Sequence, residues 1–110
     1  MPGPDLMRAS LTQRTSDIGS RASHDGGGSI PKCEPGTSTS AAVANGEAIA
    51  CAGALDRAVG LLLGHARSEP RVLITGGAAE RVIRSWAGAH EYVPGLVIEG
   101  LAILAADANL

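Results

Sequence analysis

The stretch "RVLITGGAAERVIRSW", residues 71–86, joins an extended pattern to a helical one through two adjacent glycines. The apolar residues predict a strand over 71–74, and the spacing after Gly76 and Gly77 predicts a helix over 78–87. The corner either lets backbone approach a nucleotide phosphate or adenosine, or it only forms a tight turn. A lone T-G-G is weaker than G-x-G-x-x-G or G-x-x-x-x-G-K-[ST], and neither of these is present, so the residues alone favour the turn.

The other elements follow from hydrophobic spacing on either side of this corner. Helices are predicted over 4–18, 39–64 and 95–106, and a short strand is predicted over 91–93. The stretch 19–38 is rich in Gly, Ser and Pro, which predicts a long surface loop. Two strands are too few for a stable sheet. The sequence therefore predicts an α/β fold that is helix-rich and incomplete.

Two helices carry faces that predict how they pack. In the helix after the glycine corner, the spacing points Val82, Ile83 and Trp86 inward. The long helix has a face with almost no side chain, made of Ala42, Gly46, Ala50 and Gly53. Glycine in an exposed helix costs up to about 1 kcal/mol relative to alanine. We therefore expect another backbone to lie close against this small-residue face.

The composition predicts a weak core and excludes some classes of partner. The chain has 110 residues, of which 45% are apolar, but it has no Phe, one Trp and one Tyr. A core of Ala, Gly, Leu and Val buries little area per residue. The formal net charge is −2 and the nine basic residues are scattered, so we expect neither nucleic acid nor a membrane as a partner.

The expected compartment is the cytoplasm. No apolar run reaches the length of about 18 residues that a bilayer span requires. The N-terminus "MPGPDLMRAS" also lacks the apolar core of a signal peptide. Reduced thiols are the default in the cytoplasm, so Cys33 and Cys51 are expected to be unpaired.

Thr39 is the second candidate for a binding residue. With Ser38 and Ser40, it places hydroxyl groups at the start of the long helix, where they could bind a polar substrate. N-capping of the helix is the alternative explanation, and the residues alone favour it.

The remaining chemistry-bearing side chains predict no catalytic and no metal-binding residue. The three histidines are widely spaced and the two cysteines form no C-x-x-C motif, so no metal site is expected. Asp56 and Arg57 lie on the long helix, where a solvated or paired charge is the ordinary interpretation.

Four segments, taken in order, resemble the type III pantothenate kinase family. Residues 36–59, "GTSTSAAVANGEAIACAGALDRAV", resemble its G-x-[NS]-T-x-x-A-[IVM]-x-x-G…(A)G-A-[IL]-D-x-x-V segment. Residues 72–83 resemble its strand followed by T-G-G, and residues 92–104 resemble its P-x-L-V-L-E-G-L run. Residues 2–18 resemble the P-G-L…L…T segment that precedes these. No segment is specific alone, but together they cover nearly the whole chain. The positions in step with the first segment are Thr39, Ala42, Gly46, Gly53, Ala54 and Asp56.

The resemblance implies a fold and a reaction. The fold is the acetate and sugar kinase/Hsp70/actin type, of which this chain is expected to be the C-terminal RNase-H-like half. Family members are homodimers that transfer the γ-phosphate of ATP to pantothenate, the first step toward coenzyme A. They use a divalent cation such as Mg²⁺ and a monovalent cation, K⁺ or NH₄⁺. Thr39 matches the family threonine that contacts pantothenate, and Gly76 and Gly77 match the glycines near the nucleotide. With the resemblance, ligand contact becomes the better interpretation of the corner, alongside its turn.

The chain also departs from the family pattern. The D-x-G-N-[ST] phosphate loop, the G-x-D-R segment with the catalytic aspartate and the G-T-A-x-T-x-D segment are absent. Phosphoryl transfer depends on positioning and charge stabilisation around phosphates and metal. We therefore expect residues 1–110 to be a single partial domain from a truncated or split gene, inactive without a complementing N-terminal half. The alternative is a non-catalytic binding or regulatory protein, like relatives described as accessory factors to transcriptional regulation.

Overall fold

A computed structural model describes residues 1–14, 17–18, 30–65 and 67–108 of the chain. The predicted order of elements is confirmed within these ranges, although both strands are shorter than predicted. The predicted loop over 19–38 falls largely on residues outside the described ranges, and residues 30–38 contain no helix or strand. The elements are α1 (Pro4–Arg14), α2 (Thr39–Leu63), β1 (Leu73–Ile74), α3 (Ala79–Ser85), β2 (Glu91–Tyr92) and α4 (Leu96–Asp107).

The two strands form a small parallel sheet. Leu73 pairs with Glu91 and Ile74 pairs with Tyr92. The backbone N–H of Glu91 donates to the carbonyl of Val72 at 2.9 Å, one residue before β1. Parallel neighbours need a crossover connection, and α3 lies in that connection. The described part of the chain is thus a helix-rich α/β structure with a two-stranded sheet, which cannot be stable without other elements packed on it.

The core lies where α2, β1 and α3 meet, and its side chains are small. Its buried cluster contains Ala52, Ile74, Ala79 and Trp86. Val82 and Ile83 are half-buried against this cluster, as are Leu55, Val59 and Val72. The inward orientation predicted for Val82, Ile83 and Trp86 is therefore confirmed. Within the described residues, no large side chain is completely buried, so apolar burial contributes less per residue here than in an ordinary core.

Glu47 connects three helices through its buried carboxylate. Its side chain, on α2, is only 3% exposed. Arg8 on α1 donates through Nε to Oε2 at 3.0 Å, and Arg81 on α3 donates to Oε1 at 3.1 Å. Arg81 also donates to Asp5 at 2.7 Å. The hydrogen bonds to Asp5 and Glu47 raise the pKa of Arg81 above its ordinary value. Two guanidinium groups offset the cost of burying this carboxylate, and they thereby hold α1 and α3 against α2.

The small-residue face of α2 is not covered by the described part of the chain. Ala42, Gly46, Ala50 and Gly53 are all exposed. A Cβ added at Gly46 or Gly53 would meet no atom within 4 Å. The expectation of a close backbone on this face is therefore wrong for the described residues, because the helix turns the face that contains Glu47 toward its neighbours. The buried residues of that face are Ala44, Asn45, Glu47, Ala48, Cys51 and Ala52.

Helix α4 is apolar and has no buried residue. Five of its apolar side chains, Val97, Ile98, Leu101, Ile103 and Leu104, are 56% to 70% exposed. Apolar surface that an ordinary domain buries is thus open to solvent. None of the described helices combines the length and the apolar character that a membrane crossing requires.

The Glu47 network generates a stability prediction. Replacing Glu47 with Gln removes the charge that Arg8 and Arg81 share while keeping the size of the side chain. We expect the free energy of unfolding to fall by about 1–3 kcal/mol, because both arginines are partly exposed and recover some hydration. Urea unfolding measures the change. Glu80→Gln, at an exposed position on α3, is the matched control and should change stability by less than about 0.5 kcal/mol. Equal midpoints for the two variants would contradict the role of Glu47.

The two cysteines generate a reactivity prediction. Burial raises the pKa of the Cys51 thiol, and the negative charge of Glu47 raises it further. A smaller thiolate fraction at neutral pH and poor access both slow its reaction. Cys33 is exposed, and its thiol donates to the carbonyl of Ser85. With Ellman's reagent we expect one fast thiol and a second that is slower by about 10-fold or more. In Cys33→Ser only the slow phase should remain, and a single fast thiol in that variant would contradict the burial of Cys51.

Candidate functional site

The glycine corner begins where β1 ends. Gly76 has φ of +96°, in the left-handed region, and the N–H of Ala79 donates to its carbonyl at 3.1 Å to close the turn into α3. Side chains with a Cβ are strained in this conformation. Thr75 donates from Oγ1 to the carbonyl of Pro94 at 3.4 Å, which ties the corner to the chain after β2. The turn interpretation is therefore confirmed for Gly76.

Gly77 has no such conformational reason to be glycine. Its φ is not positive, and a Cβ added there would meet no atom within 4 Å. The residue is exposed at the surface of the corner. Local packing in the described residues therefore leaves Gly77 unexplained, and the open space in front of its backbone is accessible to a ligand. The two glycines, which the sequence treats as one feature, have different structural roles.

Thr39 is the first residue of α2, and the helix cap is its neighbour. Ser38 has extended backbone, and its side-chain oxygen accepts from the N–H of Ala41 at 3.1 Å. N-capping therefore does not account for Thr39. The threonine is half-buried, and its hydroxyl forms no hydrogen bond with any of the described residues. That hydroxyl is available to a polar ligand at the start of the helix.

The segment before α2 is held in place by two contacts that sequence reasoning missed. Asn45 is buried on α2, and its Oδ1 accepts from the N–H of Lys32 at 2.9 Å. Gly36 packs so closely on the first turn of α2 that a Cβ would collide with the backbone of Ala41 and Ala42. The signal that could have identified Asn45 is a polar side chain among the alanines of an apolar helix face. These contacts position the chain that leads into Thr39.

Two side-chain contacts join α2 to α3 and to the residue after it. Arg81 near the start of α3 reaches Glu47, and Trp86 just after its end reaches Asp56. No hydrogen bond within the described residues joins Thr39 to the glycine corner. The structure therefore presents an accessible hydroxyl at the start of α2 and an accessible backbone at the corner before α3 as two separate features.

The described residues contain no group of three His, Cys, Asp or Glu side chains that could hold a metal ion. Asp56 accepts a hydrogen bond from the indole Nε1 of Trp86 at 2.7 Å, so its carboxylate has a structural partner. The arrangement can bind polar and anionic groups through the corner and Thr39, but this part of the chain contains no carboxylate cluster for a divalent cation.

Comparison with known proteins covers nearly the whole chain. No family model matches it. A type III pantothenate kinase from Paracidovorax citrulli (strain AAC00-1) is 32% identical over 107 residues, which are 97% of this chain and 39% of that protein. One from Azoarcus sp. (strain BH72) is 34% identical over 106 residues, which are 96% of this chain and 37% of the relative. One from Nitrosospira multiformis is 32% identical over 108 residues, with coverages of 98% and 38%.

The match covers nearly all of this chain but only part of each relative. The chain spans well under half the length of these relatives, at 37% to 39%. The matched region lies in the C-terminal part of those proteins, and it includes the T-G-G corner and the segment that contains Thr39. The chain therefore matches the C-terminal part of proteins of the type III pantothenate kinase family.

Proposed function

We propose that this chain acts as the C-terminal part of a kinase that phosphorylates pantothenate with ATP, the first step of coenzyme A synthesis. The observation that carries the proposal is the match of 96% to 98% of the chain to proteins named type III pantothenate kinase. Its fold is proposed to be the C-terminal RNase-H-like half of an acetate and sugar kinase/Hsp70/actin-type structure. The observed βαβ connection and flanking helices are compatible with that assignment.

Within this proposal, Thr39 contacts pantothenate and the glycine corner contacts ATP. The hydroxyl of Thr39 has no hydrogen bond with the residues that the structure describes, which supports the first role, since it can form hydrogen bonds with the polar groups of the substrate. The accessible backbone at Gly77 supports the second role, because a phosphate or sugar can approach it without meeting a Cβ. Gly76 contributes by setting the turn that presents Gly77.

The remaining parts of the catalytic machinery are proposed to come from outside residues 1–110. Phosphoryl transfer needs positive charge and metal around the phosphates, and the described residues contain no metal-binding cluster. We propose that the chain is inactive by itself. The Mg²⁺-type divalent cation and the K⁺ or NH₄⁺ of the family would be held mainly by the complementing part. The cytoplasm is the proposed location, as for coenzyme A synthesis from soluble substrates.

The partner surface is proposed to include α4 and the small-residue face of α2. Both are exposed in this chain, and large exposed apolar patches mark interaction surfaces. A complementing N-terminal half would cover them, and a homodimer is the alternative. No contact or distance in the structure favours the non-catalytic regulatory alternative over the kinase.

A fusion protein tests the proposed activity. The N-terminal part of the Paracidovorax citrulli kinase, up to the start of the matched region, is joined to this chain. Pantothenate phosphorylation is then measured with ATP, Mg²⁺ and K⁺. We expect activity in the fusion and none in the 110-residue chain. Activity of the chain alone would contradict its dependence on other residues. An inactive but folded fusion would contradict the kinase proposal itself.

Within the active fusion, Thr39 provides a substrate-specific test. Thr39→Val keeps the shape of the side chain and removes the hydroxyl. The loss of one hydrogen bond, worth about 1 kcal/mol, predicts a rise of about 5-fold in KM for pantothenate and little change in KM for ATP. Thr39→Ser restores the hydroxyl and should behave like the parent. Equal KM values for pantothenate in the Val and Ser variants would remove Thr39 from the site.

The two glycines provide a test that separates turn from ligand contact. Gly76→Ala places a Cβ at positive φ and should lower stability by about 1–2 kcal/mol. Gly77→Ala has open space and should change stability by less than about 0.5 kcal/mol. In the fusion, Gly77→Ala should raise KM for ATP several-fold at unchanged thermal stability. An unchanged KM for ATP would leave the corner with its turn role alone.

A further inference from the structure

A cavity lies beside Trp86, away from the glycine corner. Its volume is about 300 Å³. The second half of α2 forms one wall, and the segment that enters β1, represented by Pro70 and Val72, forms another. The glycine corner follows the opposite end of β1, so this cavity is separate from the site proposed for the nucleotide.

The polar groups of the cavity are negative. Asp56 and Glu69 line it together with apolar side chains, and no Lys, Arg or His is among its lining residues. Within the described ranges, Asp56 accepts a side-chain hydrogen bond from the indole N–H of Trp86 and from no other group. Glu69 has no hydrogen bond or ion pair with the described residues. Both residues are exposed and neither has an ion pair within the described part of the chain, so they give the cavity opening a negative potential that salt screens.

The end of α2 reinforces this negative potential. Leu63, the last residue of the helix, lines the cavity. The C-terminal turn of a helix carries partial negative charge from carbonyls without helical partners, which favours a nearby cation. No basic residue lies in the last turn of α2, but His65 directly follows it, with its Nδ1 2.7 Å from the carbonyl of Leu61 and its N–H donating to the carbonyl of Leu62. The last carbonyls are thus partly satisfied, and the remaining partial charge has the same sign as the two carboxylates.

Trp86 gives the cavity a rigid aromatic wall. It is 5% exposed, and its ring is held at one edge by the bond to Asp56. Gly88 packs against the six-membered part of the indole so closely that a Cβ there would collide with it. The imidazole of His90 also lies against the indole, with 5.8 Å between the ring centroids. Any part of the indole face that remains open to the cavity can attract a cation.

We propose that this cavity binds a small aliphatic ammonium compound. The alkyl stem packs on Val59, Leu63 and Val72, and the ammonium group lies between the carboxylates of Asp56 and Glu69 beside the indole. The volume of the cavity is at the lower end of the range for ligand sites, which begins at about 300 Å³. The ligand is therefore short. Pantothenate and ATP are anions and would be repelled here. The inference therefore does not depend on the proposed kinase reaction.

The only tryptophan of the chain reports on binding directly. Trp86 lines the cavity and is the single Trp in the sequence, so its fluorescence and its one indole N–H resonance arise at the site. The probes are n-butylammonium, 1-butanol and butyrate, which share an alkyl chain and differ in charge. We expect n-butylammonium to bind with a Kd in the range of about 1–10 mM, as suits a five-atom ligand. Butanol should bind at least about 5-fold more weakly and butyrate should not bind. Equal titrations for all three probes, or no response to any, would overturn the proposal.

Charge variants test the role of the two carboxylates. Asp56→Asn removes the charge and keeps an oxygen acceptor for the indole. Glu69→Gln removes the charge of a side chain that has no hydrogen bond or ion pair with the described residues. Each should weaken n-butylammonium binding by about 3- to 10-fold. Asp107→Asn, on α4 and outside the cavity, is the control for overall charge and should leave binding unchanged. An equal loss in Asp107→Asn would show that only the net charge attracts the ligand and would overturn the site.

A filling variant tests the cavity itself. Gly60 lines the cavity from α2, and a Cβ there meets no atom within 4 Å. Gly60→Leu should occupy the space and abolish binding of both n-butylammonium and butanol. Because leucine favours a helix more than glycine does, the fold should be retained, and circular dichroism checks this. Unchanged binding in a folded Gly60→Leu protein would overturn the assignment of the ligand to this cavity.

Discussion

The buried carboxylate of Glu47 is the interaction on which the arrangement of the helices depends. A core made of Ala52, Ile74, Ala79 and Trp86 offers little apolar area to bring elements together. Glu47 compensates by accepting from an arginine on α1 and from another on α3. Because a buried carboxylate is costly without both partners, the network also restricts how α1 and α3 can be placed along α2. Moving either helix by one turn would separate a guanidinium group from its acceptor.

This placement separates two regions with opposite chemistry. The backbone of Gly77 before α3 and the hydroxyl of Thr39 at the start of α2 are accessible, and both suit polar or anionic groups. Toward the C-terminal half of α2, Asp56, Glu69 and the end of the helix surround a cavity that suits a cation. Trp86 belongs to the core and also to the wall of that cavity, so the same packing that stabilises the fold gives the cavity its shape.

The exposed surfaces are consistent with a chain that matches only the C-terminal part of its relatives. Helix α4 presents apolar side chains to solvent along its length, and the small-residue face of α2 is exposed. Both would be unusual on an independent domain of this size. The partial match to longer relatives and these exposed surfaces both support the proposal that other residues cover them.

The types and order of the elements, and the family, could be read from the sequence because they depend on local patterns. A strand followed by two glycines predicts a turn into a helix, and hydroxyl residues before α2 predict a helix start. Which serine caps α2, which face of α2 is buried and how Gly76 differs from Gly77 depend on backbone torsions and on contacts between distant residues. The prediction that the small-residue face would be covered was wrong for the described chain because the ion pairs of Glu47 turn another face inward. The cavity beside Trp86 was not foreseen at all, since Asp56, Glu69 and Gly88 are far apart in sequence. The sequence by itself determined local structure and ancestry, and the tertiary structure alone decided which side chains meet, because that is set by packing and charge pairing across helices.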